Sequence, residues 1–197
     1  MIPIIILAAG ASKRMRGRDK LLEDVEGVPL LRRQAQMALA TDCDVIIALP
    51  SRPHPRYDVV DDLAVQCLPV ADAAEGMNVS LRTALGAVPE AAEGAMILLG
   101  DLPELTVDDL RTVFQSVDFY DDTLIWRGAT SDGRAGHPVV IARPAFAELM
   151  ELTGDAGAQP VLARYQDRIQ LVPLPGQHAR RDLDTPEEWA AWRDENP

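Results

Sequence analysis

Residues 4–20 read IIILAAGASKRMRGRDK, and this stretch decides the fold. An apolar run rich in β-branched residues stops at Gly10, and Lys13, Arg14, Arg16, Arg18 and Lys20 follow within ten residues. β-Branched residues favour strands, and a short apolar run closed by a turn residue suits a strand buried in a parallel sheet. Strand, glycine turn and clustered cations together build a phosphate pocket. Backbone N–H groups converge on the anionic oxygens while lysine and arginine side chains balance the remaining charge. A charge run taken alone is usually a solvated face, but its place directly after a buried strand favours a ligand.

Outward from this strand the same alternation repeats. Strand-type runs fall at residues 3–8, 44–49, 64–69, 95–99, 123–126, 138–142 and 168–172. Helix-patterned stretches fall between and after them, at 29–40, 78–88, 107–116, 144–152, 158–165 and 186–194. Thr106 and Thr185 precede acidic first turns and read as helix caps. Alternation of this kind predicts an α/β fold: a Rossmann-like three-layer αβα sandwich around a mainly parallel sheet. Residues 50–56, with three prolines, read as a surface connection within one unit, so residues 1–197 are expected to form a single domain.

The chain has 197 residues and a formal net charge of -12, a field that repels polyanions. Nucleic acid and acidic membranes are therefore not expected partners, and the basic cluster is a local exception. No apolar run approaches the roughly 20 residues a membrane helix needs, and the amino terminus has no basic n-region or cleavage site, so a cytoplasmic protein is expected. Cys43 and Cys67 are too few for a disulfide framework and have no CxxC spacing, so core packing accounts for them.

The opening loop is neither of two common phosphate motifs. A Walker A loop needs G-x-x-x-x-G-K-[ST], whereas Gly10 and Gly17 have six residues between them and Lys20 precedes Leu21; GxGxxG is absent too. Two acidic segments lie downstream. Asp101, in MILLGDLP, closes a buried strand, where open α/β sheets bind ligands and a carboxylate can meet Mg²⁺. A turn-initiating aspartate before Leu-Pro explains it equally well. In Asp182-Leu183-Asp184-Thr185-Pro186-Glu187, a strand end would put Asp182 and Asp184 on one side, although a helix cap with incidental acids suffices. Glu75-Gly76-Met77-Asn78-Val79-Ser80-Leu81 opens a helix whose amino terminus could face an anion or a base edge. His137, held out of helical conformation by Pro138, suits a loop projecting into a cleft, although a lone histidine is more often structural.

These segments resemble the nucleotidyltransferase (MobA-like NTP transferase) family, whose signature is L-A-A-G-x-S-x-R-M-x-x-x-K. Leu7, Ala8, Ala9, Gly10, Ser12, Arg14 and Met15 match it; Lys20 lies one place later, and Arg16 stands where glycine is usual. The resemblance implies a fold of the nucleotide-diphospho-sugar transferase type. It also implies that Leu7, Ala8, Ala9, Gly10, Ala11 and Ser12 wrap a triphosphate whose charge Arg14 and Lys20 balance. By the same resemblance Asp101 and Asp184 hold Mg²⁺ between them. EGMNVSL, GHPVV and TGDAGAQ are similar to one branch, the molybdenum cofactor cytidylyltransferases. That branch implies nucleotide contacts at Gly76, Met77 and Ser80, and acceptor contacts at Gly136, His137 and Asp155. Gln159 replaces a common arginine, and Leu102 a common methionine.

The implied reaction is attack of an acceptor phosphate on the α-phosphorus of CTP, with pyrophosphate leaving in line. Ala8-Ala9-Gly10 resembles the cytidylyl-transferring members, and an alanine methyl beside the base would favour a pyrimidine. The acceptor implied is molybdopterin or its molybdenum complex, with a molybdenum hydroxylase as the eventual client. Two other readings stand beside it. One keeps the chemistry and takes a sugar phosphate or another small phosphate, and the other is a cofactor carrier without turnover.

Overall fold

The computed structural model describes residues 2–154 and 156–196. Nine strands form, β1 (Ile4–Leu7), β2 (Asp24–Val25), β3 (Val28–Pro29), β4 (Val45–Pro50), β5 (Gln66–Val70), β6 (Gly94–Leu99), β7 (Ile125–Ala129), β8 (Ala135–Ala142) and β9 (Ile169–Pro173) among the described residues. Six α-helices accompany them: α1 (Leu30–Leu39), α2 (Met77–Leu85), α3 (Val107–Gln115), α4 (Phe146–Met150), α5 (Gln159–Arg164) and α6 (Pro186–Glu195). Seven of the strands make one sheet in the order β5-β4-β1-β6-β8-β7-β9, and β2 and β3 pair as a separate short hairpin.

The sheet is mainly parallel, as the alternation predicts. The exception is β8, antiparallel to β6 on one side and to β7 on the other. Ile4, Ile5 and Ile6 have no exposed surface, because β1 lies between β4 and β6 and is covered on both faces. Each such side chain contributes about 1.5–3 kcal/mol on burial. Helix α1 packs on β1 and β4 and meets α3, whereas α2 packs on β1, β4 and β5 and meets α4. These two sets are the outer layers of the sandwich.

Several boundaries differ from expectation, each for a local reason. The run expected at 138–142 extends back to Ala135, so Gly136 and His137 are strand residues and not loop residues. Helix α1 starts at Leu30, because Pro29 pairs with Asp24 in the hairpin. The stretch at 144–152 divides into a short 3-10 turn, Arg143–Ala145, and α4. Asp182 and Asp184 lie outside any strand. The connection at 50–56 is exposed through Ser51, Arg52 and Pro53, but Arg56 at its end is 1% exposed, which corrects its reading as wholly surface.

The topology fixes where a ligand can bind. β1 and β6 are parallel neighbours in register, Leu7 beside Leu99, so the loop after β1 and the turn after β6 emerge at the same sheet edge. Gly100 N–H donates to Leu7 O at 3.2 Å, and Leu183 N–H donates to Asp101 O at 3.4 Å, which brings the third segment to that edge. Open α/β sheets bind ligands at such carboxyl ends.

Candidate active site

Three segments distant in sequence meet through one ammonium. Lys20 Nζ lies 2.5 Å from Asp101 Oδ2 and 2.6 Å from Asp184 Oδ1, and Arg14 Nη2 lies 2.5 Å from Asp184 Oδ2. Asp182 joins them: Asp101, Asp182 and Asp184 offer carboxylate oxygens all within 4.8 Å of one another. The backbone around each is locked. Gln34 and Arg33 of α1 donate to Leu102 O and Pro103 O at 2.6 and 2.5 Å, so a helix holds the turn that carries Asp101. Glu188 Oε2 accepts from the N–H groups of Asp184 and Thr185 at 2.8 and 2.9 Å, tying Asp184 to the capping box of α6. Leu102, where a methionine is common, is a core residue with 1% exposure.

The electrostatics follow from this crowding. Burial works against the Lys20 ammonium, but Asp101 and Asp184 outweigh it and hold the Lys20 pKa above its ordinary value. Burial likewise opposes ionisation of Asp184, and Lys20, with Arg14 behind it, pulls its carboxyl below the usual range. Asp182 is pushed up, first by burial and then by its proximity to Asp184. Two further cations of the opening loop are also matched: Arg16 meets Glu187 at 2.8 Å and Arg18 meets Glu23 at 3.1 Å. Arg14, Arg16, Arg18 and Lys20 are thus balanced locally by acids from the rest of the chain.

The donor set suits a hard divalent cation. The Lys20 ammonium offsets the repulsion among these carboxylates here, and their oxygen donors favour Mg²⁺ or Mn²⁺ over softer metals. Asp101 Oδ1 is buried without a hydrogen-bond partner, so it has a lone pair to give.

Around this centre the other expected residues divide. The loop from Ala8 to Ser12 runs along the edge; Ala8 and Ala9 are buried, Gly10 and Ala11 exposed. The Ala9 residue is only 5% exposed, so its methyl offers little surface to a base. Left-handed backbone falls at Ser12, Arg16 and Gly17, with φ of 49°, 53° and 90°, and Gly10 is not among these positions. The Ser12 hydroxyl turns inward, donating to Asp19 Oδ1 at 3.2 Å. Gly76, with φ of 121°, is the N-cap of α2, and Ser80 is buried in that helix. Asp155 lies outside the described residues.

A cavity of about 220 Å³ has a lining that includes Leu7 and Leu99, the strand ends that lead into the opening loop and the Asp101 turn, together with Met77, Arg127, His137 and Gln159. Burial, then the nearby Arg127 charge, pushes the His137 imidazole down to about 4, so it is neutral at physiological pH. Gly136 packs closely against the protein: a Cβ there would stand 2.0 Å from Ala179 O, and its own carbonyl accepts from Arg127 Nε at 2.9 Å. That close approach is why the position needs glycine.

The sequence alone points to no role for Arg56, Asp19 or Gln34, which brace this site, and to Glu188 only as part of an acidic first turn. It placed Asp182 beside Asp184 without making it a ligand. The acidic D-x-D spacing was the available signal for Asp182.

A phosphate-type loop and a carboxylate cluster at one edge of a mainly parallel sheet define a nucleotidyltransferase, and known proteins agree. Residues 4–169 match the model of the MobA-like NTP transferase domain, and the chain belongs to that family. It is 30% identical, over 95% of both chains, to a probable molybdenum cofactor guanylyltransferase of Synechococcus elongatus. Among solved structures, a mycobacterial homologue of Rv0371c from strain JC1 superimposes with a TM-score of 0.82 at 25% identity, covering 98% of this chain and 96% of that one. Rv0371c of Mycobacterium tuberculosis H37Rv in complex with manganese gives 0.75 at 24% identity, covering 96% of each. The fold is that of the nucleotide-diphospho-sugar transferases.

Proposed function

We propose that this protein transfers CMP from CTP to the phosphate of molybdopterin or its molybdenum complex, acting as one unit over residues 1–197. The observation that carries the reading is the meeting of Lys20, Asp101 and Asp184 at the sheet edge where the opening loop emerges. The setting would be the cytoplasm, where nucleoside triphosphates are abundant, and a molybdenum hydroxylase would be the client. No described helix is long and apolar enough to cross a membrane.

In this reading Asp101 and Asp184, with Asp182 beside them, hold a divalent cation, Mg²⁺ in the first instance; the Rv0371c complex contains manganese. When bound, such an ion neutralises phosphate charge and orients the reacting oxygens. Lys20 holds the carboxylates together before the nucleotide arrives and then exchanges them for phosphate oxygens. Arg14, 69% exposed at its side chain, supplies charge from the solvent side, and the amides of residues 8–12 line the triphosphate. An acceptor phosphate oxygen forms a bond to the α-phosphorus as the bond to the bridging oxygen breaks, and pyrophosphate leaves with that electron pair. No general base is required, since the acceptor phosphate is already ionised. Met77 would border the nucleotide, and His137, neutral at the cavity wall, would face the acceptor with Gly136 behind it; the motif resemblance also assigns Ser80 to the nucleotide and Asp155 to the acceptor.

GTP as donor is the second reading, favoured by the guanylyltransferase name of the Synechococcus relative. CTP is preferred on the likeness of Ala8-Ala9-Gly10, EGMNVSL, GHPVV and TGDAGAQ to the cytidylyl-transferring members; the buried Ala8 and Ala9 methyls add no steric argument for a pyrimidine. The test is pyrophosphate release with Mg²⁺, each NTP in turn, and molybdopterin or a sugar phosphate. CTP turnover that depends on the pterin is expected. Turnover with GTP alone, or with a sugar phosphate alone, selects another donor or acceptor. Tight cofactor binding without pyrophosphate would indicate a carrier.

A further inference from the structure

Arg56 lies within the connection between β4 and β5, away from the segments the reaction uses, yet it is 1% exposed. Arginine is almost never fully buried unless it is paired. Here four hydrogen bonds account for it, and all of them go to the opening loop. Nη1 donates to Ala8 O at 2.6 Å, Nη2 to Ser12 Oγ at 3.0 Å and to Asp19 Oδ1 at 2.7 Å, and Nε to Asp19 Oδ2 at 2.8 Å. Ala8 begins the loop, Ser12 lies within it and Asp19 ends it, so one planar guanidinium fixes three points along it.

The loop needs such a brace. Ser12 and Arg16 both hold left-handed backbone, at φ of 49° and 53°, which costs about 1–2 kcal/mol at each non-glycine residue. Strained backbone persists only where its surroundings over-determine it. The same contacts reach Lys20. Asp19 Oδ1 accepts from Leu21 N–H at 3.0 Å and so caps the short turn that Lys20 begins, and Ser12 Oγ accepts from Lys20 N–H at 3.4 Å. The Lys20 ammonium then meets Asp101 and Asp184.

We infer that Arg56 is a positioning residue for nucleotide binding and transfer, setting the loop and Lys20 through Asp19 and Ser12. The inference rests on the nucleotidyl-transfer reading above. Lysine cannot replace it, since a single ammonium has neither the fork that grips both Asp19 oxygens nor the reach to Ala8 and Ser12 at once.

The test uses the full chain with Arg56→Lys and Arg56→Ala, measuring CTP and GTP binding by calorimetry separately from turnover. Near-ultraviolet circular dichroism checks the fold of each variant. For Arg56→Lys, folded like the parent, NTP affinity is expected to fall about tenfold and turnover about a hundredfold, the scale of a small misplacement of reacting groups. Added guanidinium at non-denaturing concentration should restore part of the lost NTP affinity to Arg56→Ala, which a merely structural role would not allow. If Arg56→Ala does not fold, Asp19→Asn, which keeps the shape and removes the charge Arg56 grips, takes its place and should lose affinity similarly. Parental affinity and turnover in folded Arg56→Lys overturn the inference. A parent protein that binds no NTP at all overturns the nucleotidyl-transfer reading instead, so the two failures are distinct.

Discussion

Lys20 bridges Asp101 and Asp184, residues 81 and 164 positions away in the chain, with its ammonium 2.5 and 2.6 Å from their carboxylates. A cation that neutralises two partly buried acids occupies the place where a divalent ion would be expected to gain most. Lys20→Met should therefore have opposite effects on two measurements. Turnover should fall by about 10²–10³, the cost of removing one preorganised charge donor. Affinity for Mn²⁺ without nucleotide, read by electron paramagnetic resonance, should rise, because the carboxylates lose their competitor. Unchanged Mn²⁺ affinity would show that ammonium and ion do not share the site.

The three carboxylates should not be equivalent. Asp101 and Asp184 hold Lys20, whereas Asp182 is more exposed and its carboxyl is pushed up by burial and by Asp184. Asp101→Asn and Asp184→Asn are expected to abolish Mn²⁺-supported pyrophosphate release. Asp182→Asn should weaken Mn²⁺ binding by about 10-fold and leave measurable turnover. Parental Mn²⁺ affinity in Asp182→Asn would remove Asp182 from the ion's surroundings.

Local pattern carried most of the fold but not its direction or its long-range braces. The β1 and β6 runs were legible because both strands are buried on two faces and so remain apolar throughout. The antiparallel sense of β8 was not, since nothing in Pro138–Ala142 encodes which way its neighbour runs. The hairpin at Asp24–Val25 and Val28–Pro29 has two residues per strand, too few for a period to show. Asp101 and Asp184 were visible through motif resemblance. Arg56 was invisible because its partners Asp19, Ser12 and Ala8 lie 37, 44 and 48 residues away. Gly136 has a packing reason of its own, since its approach to Ala179 O demands glycine whether or not it meets the acceptor.

The His137 pKa, lowered to about 4 from 6.5 by burial and by Arg127, gives the fold a pH dependence. Between those values the unfolded chain binds more protons than the folded one, so stability rises with pH across the window. The contribution is fully present above about pH 6.5 and is lost as pH falls towards 4. Urea midpoints measured across that window should fall less steeply in His137→Asn than in the parent. Parallel curves would mean that His137 ionises freely in the folded protein.

Thr185 and Glu188 couple the last helix to the ion site. Thr185 Oγ1 accepts from Glu188 N–H at 3.2 Å, and Glu188 Oε2 returns to the N–H groups of Thr185 and Asp184 at 2.9 and 2.8 Å. Thr185→Ala removes a cap and should cost about 1 kcal/mol of stability. Glu188→Ala removes the same helix end's partner and also frees the Asp184 amide, so the carboxylate above it loses its anchor. At similar loss of stability, Glu188→Ala should reduce Mn²⁺ affinity more than Thr185→Ala does. Denaturant melts and Mn²⁺ titrations on both variants make the comparison, and equal Mn²⁺ affinities would limit Glu188 to helix capping.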